Sequence, residues 1–184
     1  MFLYLHGFNS SPLSHKTQQF RKWLAERGRE NEWVCPDLPH QPAAAFALLC
    51  TLVEQAATKP KVVGSSLGGF YATALSARYD LKAVVINPAV HAPLVLRSAL
   101  GPQVGYYDDT QYEFTQQHLD ELQALDLLAP ANPDNILLMQ ERGDEVLDWK
   151  TAVDYYRDCH QLVFRGGDHS FTRFADVIEL IDRF

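Results

Sequence analysis

The chain has 184 residues, 47% apolar and 21% charged, the composition of a globular domain and not of a disordered segment. At this length one core can bury roughly 70% of the surface that the unfolded chain exposes, so neither disulfides nor a structural metal is required. The net charge of −7, from 16 basic and 23 acidic residues, argues against nucleic acid or an anionic membrane as a partner.

Phe2-Leu3-Tyr4-Leu5 is an apolar run without alternation, expected of a strand covered on both faces. It stops at His6-Gly7-Phe8-Asn9-Ser10-Ser11-Pro12, a loop rich in turn formers. No basic region or cleavage site precedes the run, and no window approaches the roughly 18 apolar residues of a membrane span, so the expectation is a soluble, cytoplasmic protein. Phe20, Trp23 and Leu24 recur at helical spacing within a helix predicted over 14–28, which Gly28 closes. A short strand follows at 33–35. Pro42 then starts an Ala- and Leu-rich helix that runs to about 57.

Val62-Val63 runs directly into Gly64-Ser65-Ser66-Leu67-Gly68, which is Gly-x-Ser-x-Gly between a strand and a predicted helix over 67–79. This is the pattern of a nucleophile elbow, where a sharp strand-to-helix turn lifts the central serine out of the sheet. Ser66 has the symmetric glycine spacing and Ser65 does not. A strand at 83–86 ends in Asn87-Pro88. The segment from 90 to about 135 breaks the alternation, with helices expected near 94–100 and 111–128 and a connection over 101–109 between them. Its aromatic residues Tyr106, Tyr107, Tyr112 and Phe114 fit the interior of a packed insertion as well as the lining of an acyl pocket. The rhythm resumes with a strand at 136–139, a helix at 149–157, a strand at 161–164 and a last helix at about 171–184. Strand alternates with helix, so a single α/β domain with a mostly parallel sheet follows, and ligands are expected beyond the carboxyl ends of the strands.

The chemical groups sit in the loops that follow strands. Ser66 comes first, Asp144 78 residues later and His169 25 residues after that. Serine, acid, histidine is the chain order of the α/β-hydrolase triad and differs from the orders in chymotrypsin-like and subtilisin-like proteases. A serine hydroxyl needs an imidazole to take its proton, and the imidazole needs a carboxylate to fix its tautomer. Asp144 follows the glycine at a strand end. Glu145 and Asp148 are its rivals, although Asp148 before Trp149 reads as a helix N-cap. Asp168, adjacent to His169, reads as a residue that structures the loop. The backbone N–H groups of Phe8 and Leu67 are placed to form an oxyanion hole, where each donor can contribute about 3 to 4 kcal/mol toward the barrier. His6 is expected to hold that loop by hydrogen bonds and not to act as a base.

Cys35, Cys50 and Cys159 are odd in number and widely spaced, and read as structural thiols. The other histidines have no partner at metal spacing. The elbow lacks the Lys-Ser/Thr of a phosphate loop, and no dinucleotide fingerprint follows the first strand, so no cofactor and no metal are expected.

Four blocks together resemble a known family: Leu3-Tyr4-Leu5-His6-Gly7-Phe8-Asn9-Ser10-Ser11-Pro12, Gly64-Ser65-Ser66-Leu67-Gly68-Gly69, Gly143-Asp144-Glu145-Val146-Leu147-Asp148 and Gly166-Gly167-Asp168-His169-Ser170-Phe171. They are similar to the α/β-hydrolase superfamily and, within it, to the small YqiA-like bacterial esterases. The resemblance implies a minimal α/β-hydrolase fold with a small helical lid at about 90–135. It also implies a serine esterase or thioesterase with Ser66 as nucleophile, Asp144 as acid and His169 as base. Relative to a full-sized member the sequence opens directly on the His-Gly strand, and its insertion after Ile86 is small. The expected substrate is a small ester or thioester, a short-chain acyl ester or an acyl-CoA. The alternative is an α/β-hydrolase fold kept as a binding or interaction module with its triad idle.

Overall fold

The structure, a computed structural model, describes residues 1–107 and 109–184. In chain order its elements are β1 (Phe2–Leu5), α1 (His15–Ala25), β2 (Trp33–Val34), α2 (Pro42–Gln55), β3 (Lys61–Ser65), α3 (Leu67–Tyr79), β4 (Ala83–Ile86), the single turn α4 (Ala92–Val95), β5 (Gly101–Val104), β6 (Gln111–Phe114), α5 (Gln116–Gln123), β7 (Ile136–Glu141), α6 (Trp149–Tyr155), β8 (His160–Phe164) and α7 (Phe174–Arg183). Among the described residues six strands form one sheet in the order β2-β1-β3-β4-β7-β8, and every neighbouring pair is parallel.

The apolar strand runs are buried on both faces because side chains alternate across a sheet that carries helices on either side. Leu3, Leu5, Val62, Val85 and Leu138 face one layer, where Leu49 of α2, Leu75 of α3 and Leu122 of α5 meet them. Phe2, Tyr4, Val63, Val84 and Met139 face the other layer, onto Phe20 and Leu24 of α1 and Phe174 and Ile178 of α7. Each fully buried side chain of this size stabilises the fold by about 1.5–3 kcal/mol relative to exposure.

From β1 the chain winds outward through α1 to β2, then returns through α2 on the opposite face to β3. The winding direction therefore reverses between β1 and β3. In open α/β sheets this switch point opens the crevice in which ligands bind, and it sets the loop after β1 beside the turn after β3.

Two local expectations need correction. Residues 111–114 are a strand and not the start of a helix. Gln111-Tyr112-Glu113-Phe114 alternates polar with aromatic and pairs antiparallel with Gly101–Val104, burying Phe114. The helix begins only at Gln116, after Thr115, whose N–H donates to Nδ1 of His118 at 3.1 Å and so stops the helix from extending backward. The insertion is thus a hairpin and short helices; Asp108 of its connection lies outside the described residues. The last helix starts at Phe174 and not at 171, because Phe171 is held at φ 55°, which a helix cannot accommodate.

Candidate active site

The turn from β3 into α3 is tight enough to exclude side chains on either side of Ser66. A Cβ on Gly64 would collide with the Gly68 carbonyl, and one on Gly68 would collide with the Leu5 carbonyl. Between them Ser66 takes φ 56° and ψ −120°, a conformation that costs a non-glycine residue about 1–3 kcal/mol. Several bonds hold it there. The Ser66 N–H donates to the Ile86 carbonyl at 3.0 Å, and its own carbonyl accepts from Gly69 at 2.9 Å and Ala89 at 3.0 Å.

His169 Nε2 lies 3.2 Å from Ser66 Oγ. Its Nδ1 lies 3.0 and 2.9 Å from the two carboxylate oxygens of Asp144. An ionised carboxylate only accepts, so Nδ1 carries the proton and Nε2 is left free to accept from the serine hydroxyl. The Asp144 side chain is fully buried. Burial pushes its carboxyl up, but the hydrogen bond from His169 and those from the Leu147 and Val146 amides outweigh burial and hold it below its ordinary 3.8. Asp144 therefore stays charged and fixed in orientation.

The rival acids have other employment. Glu145 accepts the backbone N–H of His169 at 3.0 Å and so positions the histidine without touching its ring. Asp148 caps α6, accepting from the Lys150 amide at 3.0 Å. Asp168 accepts from the amide and hydroxyl of Thr172, both at 3.3 Å, and so shapes the turn that follows the histidine.

The Phe8 and Leu67 amides make no hydrogen bond among the described residues, and both residues border the cleft that holds Ser66 and His169. The loop that carries Phe8 is braced by His6. The Leu38 N–H donates to His6 Nε2 at 3.1 Å, which leaves the proton on Nδ1, 3.1 Å from the Gly7 carbonyl. Burial lowers this imidazole below its ordinary 6.5, while the Gly7 carbonyl and Asp37 act in the opposite direction.

The cleft encloses about 310 Å³. Phe8, Leu67, Val95, Tyr106, Val146 and Leu147 give it an apolar side. Ser10, Ser14, Lys16 and Ser170 give it a polar one. Tyr106 and Tyr107 reach it from the hairpin, whereas Phe114 packs edge-on against the Phe8 ring at 5.2 Å between centroids, and Tyr112 stacks on His40. Of the four aromatic residues in the insertion, two line the cleft and two support it.

Two contributors carry no sequence motif. Asn87, fully buried just past β4, donates from Nδ2 to the carbonyls of Asp168 and His169 and accepts the Glu141 amide. Glu141, buried at the end of β7, pairs with Arg173. The hint in the sequence was the polar Asn-Pro and Gln-Glu endings of otherwise apolar strands.

Over its whole length, residues 1–184, the chain matches the uncharacterised protein family UPF0227. It belongs to that family. Solved structures place the family's fold among the α/β-hydrolases. The α/β-hydrolase domain-containing protein 10 from mouse superposes with a TM-score of 0.74 at 15% identity, over 99% of this chain and 89% of that one. Est1E from Butyrivibrio proteoclasticus, with ferulic acid bound, gives 0.69 at 15% identity, over 100% and 86%. The esterase domain of a Rhodothermus marinus protein gives 0.70 at 17% identity, over 99% and 84%. At these identities the likeness establishes the α/β-hydrolase fold of this UPF0227 member. Among the described residues no helix is long and apolar enough to cross a membrane.

Proposed function

We propose that this UPF0227 protein is a serine hydrolase that cleaves carboxylic esters or thioesters through an acyl-enzyme. The observation that carries the reading is the unbroken relay of Ser66 Oγ, His169 and Asp144 at 3.2 and 2.9 Å, on a serine held in elbow geometry.

His169 Nε2 takes the hydroxyl proton as Ser66 Oγ bonds to the carbonyl carbon. Asp144 stabilises the imidazolium. Negative charge collects on the former carbonyl oxygen, toward which the Phe8 and Leu67 amides offer fixed donors. The carbon–oxygen or carbon–sulfur bond then breaks, and His169 passes its proton to the departing alkoxide or thiolate. A water molecule repeats the sequence from the other side. Its proton goes to His169, its oxygen to the acyl carbon, and the proton returns to Ser66 as the carboxylic acid leaves. Short acyl esters and acyl-CoA thioesters fall within this chemistry, and every step uses side chains and amides of the chain itself.

The test is Ser66→Ala measured beside the native protein. Turnover of a short p-nitrophenyl ester and labelling by a fluorophosphonate probe should both vanish, with the circular dichroism spectrum unchanged. Retained turnover in the variant, or a native protein that does not label, would overturn the reading and leave a binding module on a hydrolase fold.

A further inference from the structure

The cleft around Ser66 is electrostatically one-sided, and its charge is unexpected for so acidic a chain. Among the described residues Lys16 is the only lysine or arginine that lines it, and no carboxylate does. Lys16 occupies the first turn of α1, which contains no acidic residue. A helix N-terminus already carries partial positive charge, so a lysine there is unfavourable, a cost that the nearby Asp168 carboxylate offsets and a bound anion would offset further. Ser14, the residue before the helix, borders the cleft and caps no amide of α1. Tyr4 borders the same cleft, but its hydroxyl is buried and interacts with Ser65.

The position of the ammonium relative to the relay decides which half of a substrate it meets. Lys16 Nζ donates to the Ser170 carbonyl at 2.8 Å. Ser170 directly follows His169, and the leaving group must come to His169 Nε2 to collect its proton. The ammonium has three donors and spends one on Ser170. The apolar wall of Phe8, Leu67, Val95 and Leu147 is left for the acyl portion.

Resting on the hydrolase reading above, we propose that Lys16, with Ser14 and the first turn of α1, forms a subsite for an anionic group on the leaving alcohol or thiol. The preferred substrate therefore carries an uncharged acyl group on a carboxylate- or phosphate-bearing leaving group. Burial also draws the Lys16 ammonium down to about 8, against the pull of Asp168, so a bound anion would compensate the ammonium for the hydration it has lost.

The experiment compares kcat/KM at neutral pH for three acetyl esters: those of 4-hydroxybenzoate, of 4-hydroxyphenyl phosphate and of methyl 4-hydroxybenzoate. The native protein, Lys16→Met and Lys16→Arg are measured, with Ser66→Ala as the blank. Comparing the ratio of charged to neutral ester between native protein and variant cancels both the esters' intrinsic reactivity and any general disturbance of His169 through Ser170. Lys16→Met should lower that ratio about tenfold for at least one of the two anions, and Lys16→Arg should largely preserve it. The anion whose ratio falls further is the one the subsite takes. A ratio that moves by less than about threefold for both anions overturns the proposal while leaving the hydrolase reading intact. Absence of Ser66-dependent turnover of all three esters overturns that reading, and the subsite with it. A second pair, phenyl acetate and phenyl hydrogen succinate, puts the charge on the acyl side. A Lys16-dependent preference confined to that pair would overturn the assignment to the leaving group.

Discussion

Asn87 holds His169 by the main chain. Its Nδ2 donates to the carbonyls of Asp168 at 2.9 Å and His169 at 3.1 Å, and its Oδ1 accepts the Glu141 amide at 2.9 Å, so one buried carboxamide joins the ends of β4 and β7 to the histidine turn. The side chain of His169 can be aimed at Ser66 only if this turn is fixed. Asn87→Ala should therefore lower stability by about 1–3 kcal/mol, because it strands the buried Glu141 amide and leaves two half-buried carbonyls without this donor. It should lower kcat on the order of tenfold with little change in KM, because a misplaced base weakens the transition state and not binding. Denaturant titration and steady-state kinetics check both; an unchanged kcat would mean that the turn is held by other contacts.

The strain at Ser66 can be separated from its chemistry. Glycine reaches φ 56° without the penalty that Ser or Ala carries there. Ser66→Gly and Ser66→Ala should both be inactive, but the glycine variant should be the more stable of the two by about 1 kcal/mol, even after its greater unfolded-state entropy is counted. Urea midpoints measured side by side decide the point. Equal midpoints would mean that the elbow relaxes once the hydroxyl is gone.

The elbow, the order of Ser66, Asp144 and His169 and the layered sheet were legible because each has a local signature of a few residues. Glycines stand where backbones nearly touch, apolar runs mark strands buried on both faces, and a Gly-Asp or Gly-Asp-His follows a strand end. Asn87 has no such signature. In the sequence it is half of an Asn-Pro turn, and its role exists only through residues 54 to 82 positions away. Lys16 likewise reads as one more polar position on an amphipathic helix until Ser170 is brought to it. Residues 111–114 misled for a different reason. Gln, Tyr, Glu and Phe directly before a good helical sequence extend its apparent periodicity, and only the partner strand at 101–104 separates the two.

Two buried groups give the acid side of the stability curve two stages. His6 has its folded pKa below the ordinary 6.5, so between those two values the unfolded chain binds the proton and the folded one does not. Stability therefore falls as pH drops below about 6.5 and levels off once the folded imidazole is also protonated. Asp144 is depressed below 3.8. Its contribution is complete above that value and is lost as pH falls through its folded pKa. His6→Gln should flatten the first stage and leave the second in place. Thermal midpoints from about pH 7 to about pH 3 measure both, and an unchanged slope just below pH 6.5 would remove His6 as the cause.

Asn9 ties the hairpin to the loop that carries Phe8. Its Nδ2 donates to Gln103 Oε1 at 2.9 Å, its Oδ1 accepts from the Tyr112 hydroxyl at 2.6 Å, and its carbonyl accepts the Tyr106 amide at 2.8 Å. The two strands of the hairpin and its tip therefore converge on one residue of the loop expected to hold the oxyanion. Tyr112→Phe removes one of these bonds and keeps the ring stacked on His40, which should cost the hairpin about 1 kcal/mol of local stability. The amides of Gly105 and Tyr106 should then exchange with solvent roughly fivefold faster, while amides of β3 and β4 keep their protection, because the opening is local. Asn9→Gly keeps the backbone at its φ of 54° but removes both side-chain bonds, so its effect should be larger. Because Tyr106 and Tyr107 line the cleft, KM for an ester should rise in the same order across the two variants. Faster exchange without a change in KM would show that the hairpin covers the cleft without contributing to the grip on substrate.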